Sequence, residues 1–76
     1  MKDFNALVTE YLKIDADKIA DNLTPKDVAG WDSMNYLLFI AELEKEYDIS
    51  FSMDEVLEAK SLGDVRAALR SKGASV

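Results

Sequence analysis

The chain contains no histidine and no cysteine among its 76 residues. Without cysteine there are no disulfides and no thiolate metal sites, and a reducing, intracellular setting is expected. Without histidine, a serine has lost its usual catalytic base. No apolar run approaches the roughly 20 residues needed to span a membrane, and the first residues lack a signal-peptide pattern. The sequence reads as a soluble, cytoplasmic chain. It shows no repeats, no low-complexity tract and no linker. What is present is a 49% apolar composition, which is enough for a compact core and argues against disorder. One domain over residues 1–76 is expected, near the lower size limit for a core without staples.

The net charge of −6 is unevenly placed. Residues 27–58 hold nine acids against one base, Lys45, whereas the remainder holds six acids and eight bases. An acidic field of this kind repels nucleic acid and anionic lipid and favours basic protein surfaces. A helix-turn-helix reading fails for the same reason. Asp15, Asp17 and Asp21 have a superficial calcium-loop spacing. Position six of that loop is Ala20 and position twelve is Lys26, so the pattern fails and no metal site is expected. These acids are assigned to turns and caps.

Four helices are expected. Phe4, Leu7, Val8, Tyr11 and Leu12 have the spacing of one helical face, which predicts a helix over 3–13. Residues 14–30 mix Asp, Asn, Thr, Pro25 and Gly30 with scattered Ile19, Leu23 and Val28. They read as a long ordered loop pinned by those apolar side chains, with one short helical turn. A second helix is expected over 33–47. Ser52 and Glu55 have capping-box spacing, so a short third helix runs over 52–59. Ser61 and Asp64 offer a similar start for a fourth helix, with Gly73 as its stop and 74–76 as a frayed tail.

The second helix carries two apolar stripes. Tyr36, Ile40, Leu43 and Tyr47 form the expected core face, flanked by Phe39 and Leu37. Met34, Leu38 and Ala41 lie roughly opposite, beside Asn35, Glu42 and Glu46, on a side that should face solvent. Exposed apolar residues rimmed by acids suit protein docking. Scattered exposed apolar residues are also ordinary, and the third helix would be placed to cover them.

At the start of this helix stands Gly30-Trp31-Asp32-Ser33-Met34. Ser33 has no histidine to activate it, so hydrolase chemistry is disfavoured. The free N–H groups and positive dipole of a helix start favour a phosphate attached there. A plain helix cap by Asp32 or Ser33 is the competing reading.

Asp32-Ser33-Met34 resembles the Asp-Ser-Leu signature of acyl carrier proteins. The resemblance extends to the helix order, the long loop, the acidic second helix through Ile49 and the final Ser61-Leu62-Gly63-Asp64-Val65. It implies an all-α, four-helix fold of acyl-carrier type and a monomer without enzymatic activity. It also implies 4′-phosphopantetheine on Ser33, attached by a phosphopantetheinyl transferase from coenzyme A, carrying acyl or aminoacyl groups as thioesters. Acyl-loading and acyl-processing enzymes with basic or apolar surfaces would dock at Asp32, Met34, Leu37, Leu38, Ala41 and Glu42, with Glu44 and Glu46 nearby. Asn35 and Leu38 replace commonly acidic residues, Trp31 replaces a small or branched one, and Met34 stands third in the signature. These departures point to a specialised, discrete carrier in a lipid, polyketide or related biosynthetic pathway. Tyr36, Phe39, Tyr47 and Phe51 suggest a filled interior and a short or polar cargo held in solvent. The rival is an unmodified helical interaction module using the Met34, Leu38 and Ala41 stripe.

Overall fold

The computed structural model describes residues 3–76. Helix α1 is Phe4–Leu12, α2 is Ser33–Tyr47, α3 is Met53–Glu58 and α4 is Leu62–Ser71, with a single 3-10 turn at Ala16–Lys18 in the long loop. The described residues form helices and loops only, so the fold is all-α. Local chemistry accounts for each start. Asp3 accepts from the Ala6 N–H, and the Ser52–Glu55 capping box closes in both directions at 3.1 and 2.8 Å. Ser61 accepts from the Asp64 N–H at 3.2 Å, but the Asp64 carboxylate turns to the N–H of Lys60 at 2.9 Å. Helices α1 and α2 end on Lys13 and Asp48, both left-handed without being glycine. Glycine past a helix end occurs only at Gly73, with φ of 96°.

The core joins Phe4, Leu7, Val8 and Leu12 of α1 to Phe39, Ile40 and Leu43 of α2 and to Leu62, Val65 and Leu69 of α4. The expected core face of α2 is rotated. Phe39, placed at its edge, is fully buried and meets the Phe4 ring edge-on at 5.7 Å. Tyr36 and Tyr47 sit half-buried at the rim, and Leu37 is exposed. A stripe centred on Phe39 and Leu43 turns Leu37 away from α1 and towards solvent. The tail expected to fray lies against the core. Ala74 donates to the Leu69 carbonyl at 3.1 Å, Arg70 Nε donates to the Val76 carbonyl at 2.7 Å, and both Ala74 and Val76 are partly buried.

The long loop is held at both ends. The first N–H groups of α4 have no partner within their own helix. Leu62 and Gly63 donate theirs to the carbonyls of Leu23 and Asp21, at 2.9 and 2.8 Å. Arg66 fastens the same loop by donating to Asp21 at 3.0 Å and Asn5 at 3.3 Å, while its guanidinium lies 4.6 Å from the Phe4 ring centre. Ile19, Leu23 and Val28 pack on the core as expected. At the far end Gly30 passes so close to α1 that a Cβ there would collide with the Leu12 carbonyl oxygen and the Lys13 side chain.

Candidate functional site

The loop delivers Ser33 to the first position of α2. Trp31, just before it, is buried, stacks obliquely on Tyr36 at 5.8 Å and donates its backbone N–H to the Val28 carbonyl at 3.1 Å. Asp32 adopts an extended backbone, and its carboxylate accepts the Asn35 N–H at 2.8 Å. Asp32 is therefore the helix cap, and Ser33 is not. The Ser33 side chain is exposed, and its hydroxyl has no hydrogen-bond partner among the described residues. The Asn35 N–H goes to the Asp32 side chain and the Tyr36 N–H to the Asp32 carbonyl. The N–H groups of Ser33 and Met34 thus remain open at the positive end of the helix.

Asn35 has a second role that sequence reading missed. Its side-chain amide donates to the Gly30 carbonyl at 2.9 Å and ties the helix start back to the loop. A carboxylate at this position has no proton to donate. Read from sequence, Asn35 is a lost acid. In the structure it is a necessary donor.

Beside Ser33 runs a groove of about 200 Å³ between the loop and α3, bordered by Pro25, Trp31, Tyr36, Val56, Leu57 and Ala59. Tyr36 sets its width by donating its hydroxyl to the Val56 carbonyl at 2.8 Å, and burial raises the pKa of that hydroxyl. Helix α3 is tied at its other side by the Lys72–Glu55 ion pair at 3.0 Å. The Glu55 carboxyl is held below its ordinary pKa, chiefly by the Ser52 N–H and then by Lys72.

The outer face of α2 is uncovered. Met34, Leu37 and Leu38 are 72, 55 and 49% exposed, and Ala41 is exposed beside them. Helix α3 does not cover this face. It leaves its own Met53 and Leu57 exposed, at 66 and 71%, and Leu57 borders the groove beside Ser33. Sequence reading missed these two because a six-residue helix shows too little periodicity to orient its apolar residues. Of the acids nearby, Glu42 is half-buried, and Glu44 is engaged in accepting the Phe51 N–H at 2.7 Å. No group of three acids among the described residues is placed to hold a metal ion.

Residues 3–69 match the family described as the phosphopantetheine attachment site. The chain belongs to the phosphopantetheine-binding acyl carrier protein family. An acyl carrier protein of Bdellovibrio bacteriovorus is 27% identical over 67 residues, which cover 88% of this chain and 86% of that protein. A solved structure of a candidate acyl carrier protein from Mycobacterium tuberculosis superposes with a TM-score of 0.80 at 32% identity, covering 91% of this chain and 92% of that one. The four-helix arrangement is thus that of an acyl carrier protein. Membership makes the chain a carrier and not an enzyme, with 4′-phosphopantetheine as its covalent prosthetic group. Its partners are phosphopantetheinyl transferases and acyl-processing enzymes in general. No helix among the described residues is long and apolar enough to cross a membrane.

Proposed function

We propose that Ser33 is the attachment residue and that this carrier presents acyl or aminoacyl thioesters to the enzymes of a specialised biosynthetic pathway. The observation that carries this reading is the division of labour at the helix start. Asp32 caps α2, so the Ser33 hydroxyl is exposed and unspent. The surroundings fit a phosphate-linked arm. Two open N–H groups and the helix dipole face the position of a phosphate on Oγ, and the groove toward Ala59 offers apolar walls to the pantetheine chain beyond it. When bound, 4′-phosphopantetheine supplies the thiol that the chain's own side chains lack. Ser33 presents its Oγ from a backbone that the Asp32 cap holds, the Asp32 carboxylate is engaged by the Asn35 N–H, and proton removal falls to the transferase.

Partners dock, in this reading, on Asp32, Met34, Leu37, Leu38, Ala41 and Glu42, and the exposure of Leu57 and Met53 enlarges that surface. Leu38 stands where a carboxylate is common in the family, which favours partners with an apolar contact over strongly basic ones. The carrier acts as a monomer, its apolar patch reserved for visiting enzymes. A filled interior supports a short or polar cargo held outside. Phe39 occupies the space between α1 and α2, and the Tyr36 hydroxyl is committed to Val56.

The test is mass spectrometry after incubation with coenzyme A, magnesium and a broad-specificity phosphopantetheinyl transferase. The wild-type chain gains the mass of one arm, and Ser33→Ala gains none while keeping its helical circular dichroism. No gain on the wild type, or an equal gain on the variant, sinks the assignment.

A further inference from the structure

Three side chains along the groove beside Ser33 can donate a hydrogen bond: Trp31, Ser33 itself and Tyr36. Ser33 is the proposed attachment point, and Tyr36 spends its hydroxyl on the Val56 carbonyl. The Trp31 indole is left, and its N–H has no acceptor among the described residues. That is unusual for a side chain only 6% exposed, because a buried indole N–H normally finds a partner. Among the described residues, every side-chain nitrogen or oxygen sealed from solvent has its partner. The indole N–H is therefore not sealed, and the open space that Trp31 borders is this groove.

The ring that carries this donor is firmly held. Its backbone N–H donates to the Val28 carbonyl at 3.1 Å, and the ring stacks on Tyr36 at 5.8 Å. Tyr36 is in turn fixed to α3 through Val56. A donor placed in advance loses little freedom when an acceptor arrives. The other walls say which acceptor suits it. Asp32 stands on the rim and repels a further anion, whereas Pro25, Val56, Leu57 and Ala59 are apolar. A phosphate on Ser33 already has the open N–H groups at the helix start. A neutral amide fits the groove better: its flanking methylenes lie on apolar walls, and its carbonyl, costly to desolvate unpaired, meets the free donor.

We infer that Trp31 binds the arm, its indole N–H donating to an amide carbonyl of the pantetheine chain and parking that chain along the groove between visits to enzymes. The inference rests on attachment at Ser33. One neutral hydrogen bond suffices, because the arm is tethered and its effective concentration at the groove is high. A single bond also breaks readily, so a visiting enzyme can draw the arm out.

The chain has one tryptophan, so its indole N–H gives a single NMR signal. That signal is read before and after arm attachment verified by mass. Coenzyme A supplies the natural arm, and an analogue supplies one that keeps the phosphate but has methylene pairs in place of its amide groups. The natural arm shifts the indole signal downfield and slows its exchange with water. The amide-free arm leaves both as in the unmodified chain. Trp31→Phe keeps a ring in the wall and removes the N–H, so the Leu57 and Ala59 backbone signals that the natural arm moves in the wild type stay in place. Circular dichroism checks the fold of this variant, and the comparison of the two arms on the wild type stands without it. An indole signal unmoved by a verified Ser33 arm overturns this inference and leaves attachment standing. So does an equal response to the amide-free arm, which would assign the donor to the phosphate, and so do undiminished Leu57 and Ala59 shifts in Trp31→Phe. No mass gain on the wild type, or an equal gain on Ser33→Ala, overturns attachment at Ser33, and this inference with it.

Discussion

The two faces of α2 use similar residues for opposite ends. Inward, Phe39, Ile40 and Leu43 are buried among α1 and α4. Outward, Met34, Leu37 and Leu38 are about half exposed or more. Nothing in the chemistry of a leucine distinguishes Leu43 from Leu38. The difference is where the turns of the helix carry each one relative to α1. Burial of the first set supplies stability through apolar surface removed from water. The second set gives up that gain and remains available for contact. Buried and exposed apolar residues are thereby separated on a single helix, so the outer set can change at little cost to the fold.

Breaking the inner face should have the largest effect on stability. Phe39→Ala removes a fully buried ring and its contact with Phe4, and is expected to destabilise by about 3–5 kcal/mol. Urea unfolding measures this, and Leu38→Ala on the outer face is the control, expected to lie within about 0.5 kcal/mol of wild type. Equal costs for the two would erase the distinction between the faces.

Asn35→Asp sharpens the comparison at the boundary between the two faces. It restores a family-like acid near the helix start, where a negative charge gains about 0.3–1 kcal/mol from the dipole. It also removes the donor to the Gly30 carbonyl and sets oxygen against oxygen. Losing that bond outweighs the dipole's gain, so a net destabilisation of about 1 kcal/mol is expected from chemical denaturation. A stabilised variant would show that Asn35 is tuned for partners alone.

The smallest effect concerns α3, which borders the groove at the start of α2. The Glu55 carboxyl has a lowered pKa in the folded protein, so its contribution to stability is present above the ordinary glutamate range. That contribution is lost as the pH falls through the folded value. Glu55→Gln should therefore be less stable than wild type near neutral pH, with the gap closing on acidification. Unfolding midpoints at neutral and acidic pH check this, and a constant gap would remove the charge from the account.

Features legible in the sequence were those set by near neighbours. The Ser52–Glu55 capping box, the spacing of Phe4, Leu7 and Val8, and the acid-rich second helix each need only a few residues to be read. Ser33 stood out because few other groups in the chain could do chemistry. The illegible features depend on backbone brought together by the fold. Gly30 against Leu12, the Asn35 amide on the Gly30 carbonyl and the loop carbonyls under α4 leave no local mark. The ends of α1 and α2 were hidden for a related reason, since Lys13 and Asp48 take a conformation usually signalled by glycine. Periodicity within α2 alone gives Tyr36, Ile40, Leu43 and Tyr47 as the core face, and Ile40 and Leu43 are buried; the Phe4 ring on α1, invisible to that periodicity, draws Phe39 in from the flank.

The carbonyls of Asp21 and Leu23 close the start of α4, and the partners they need are made late in the chain. One pair of carbonyls thus serves two elements, and a change that loosens the first turn of α4 is felt in the long loop some forty residues earlier in the chain.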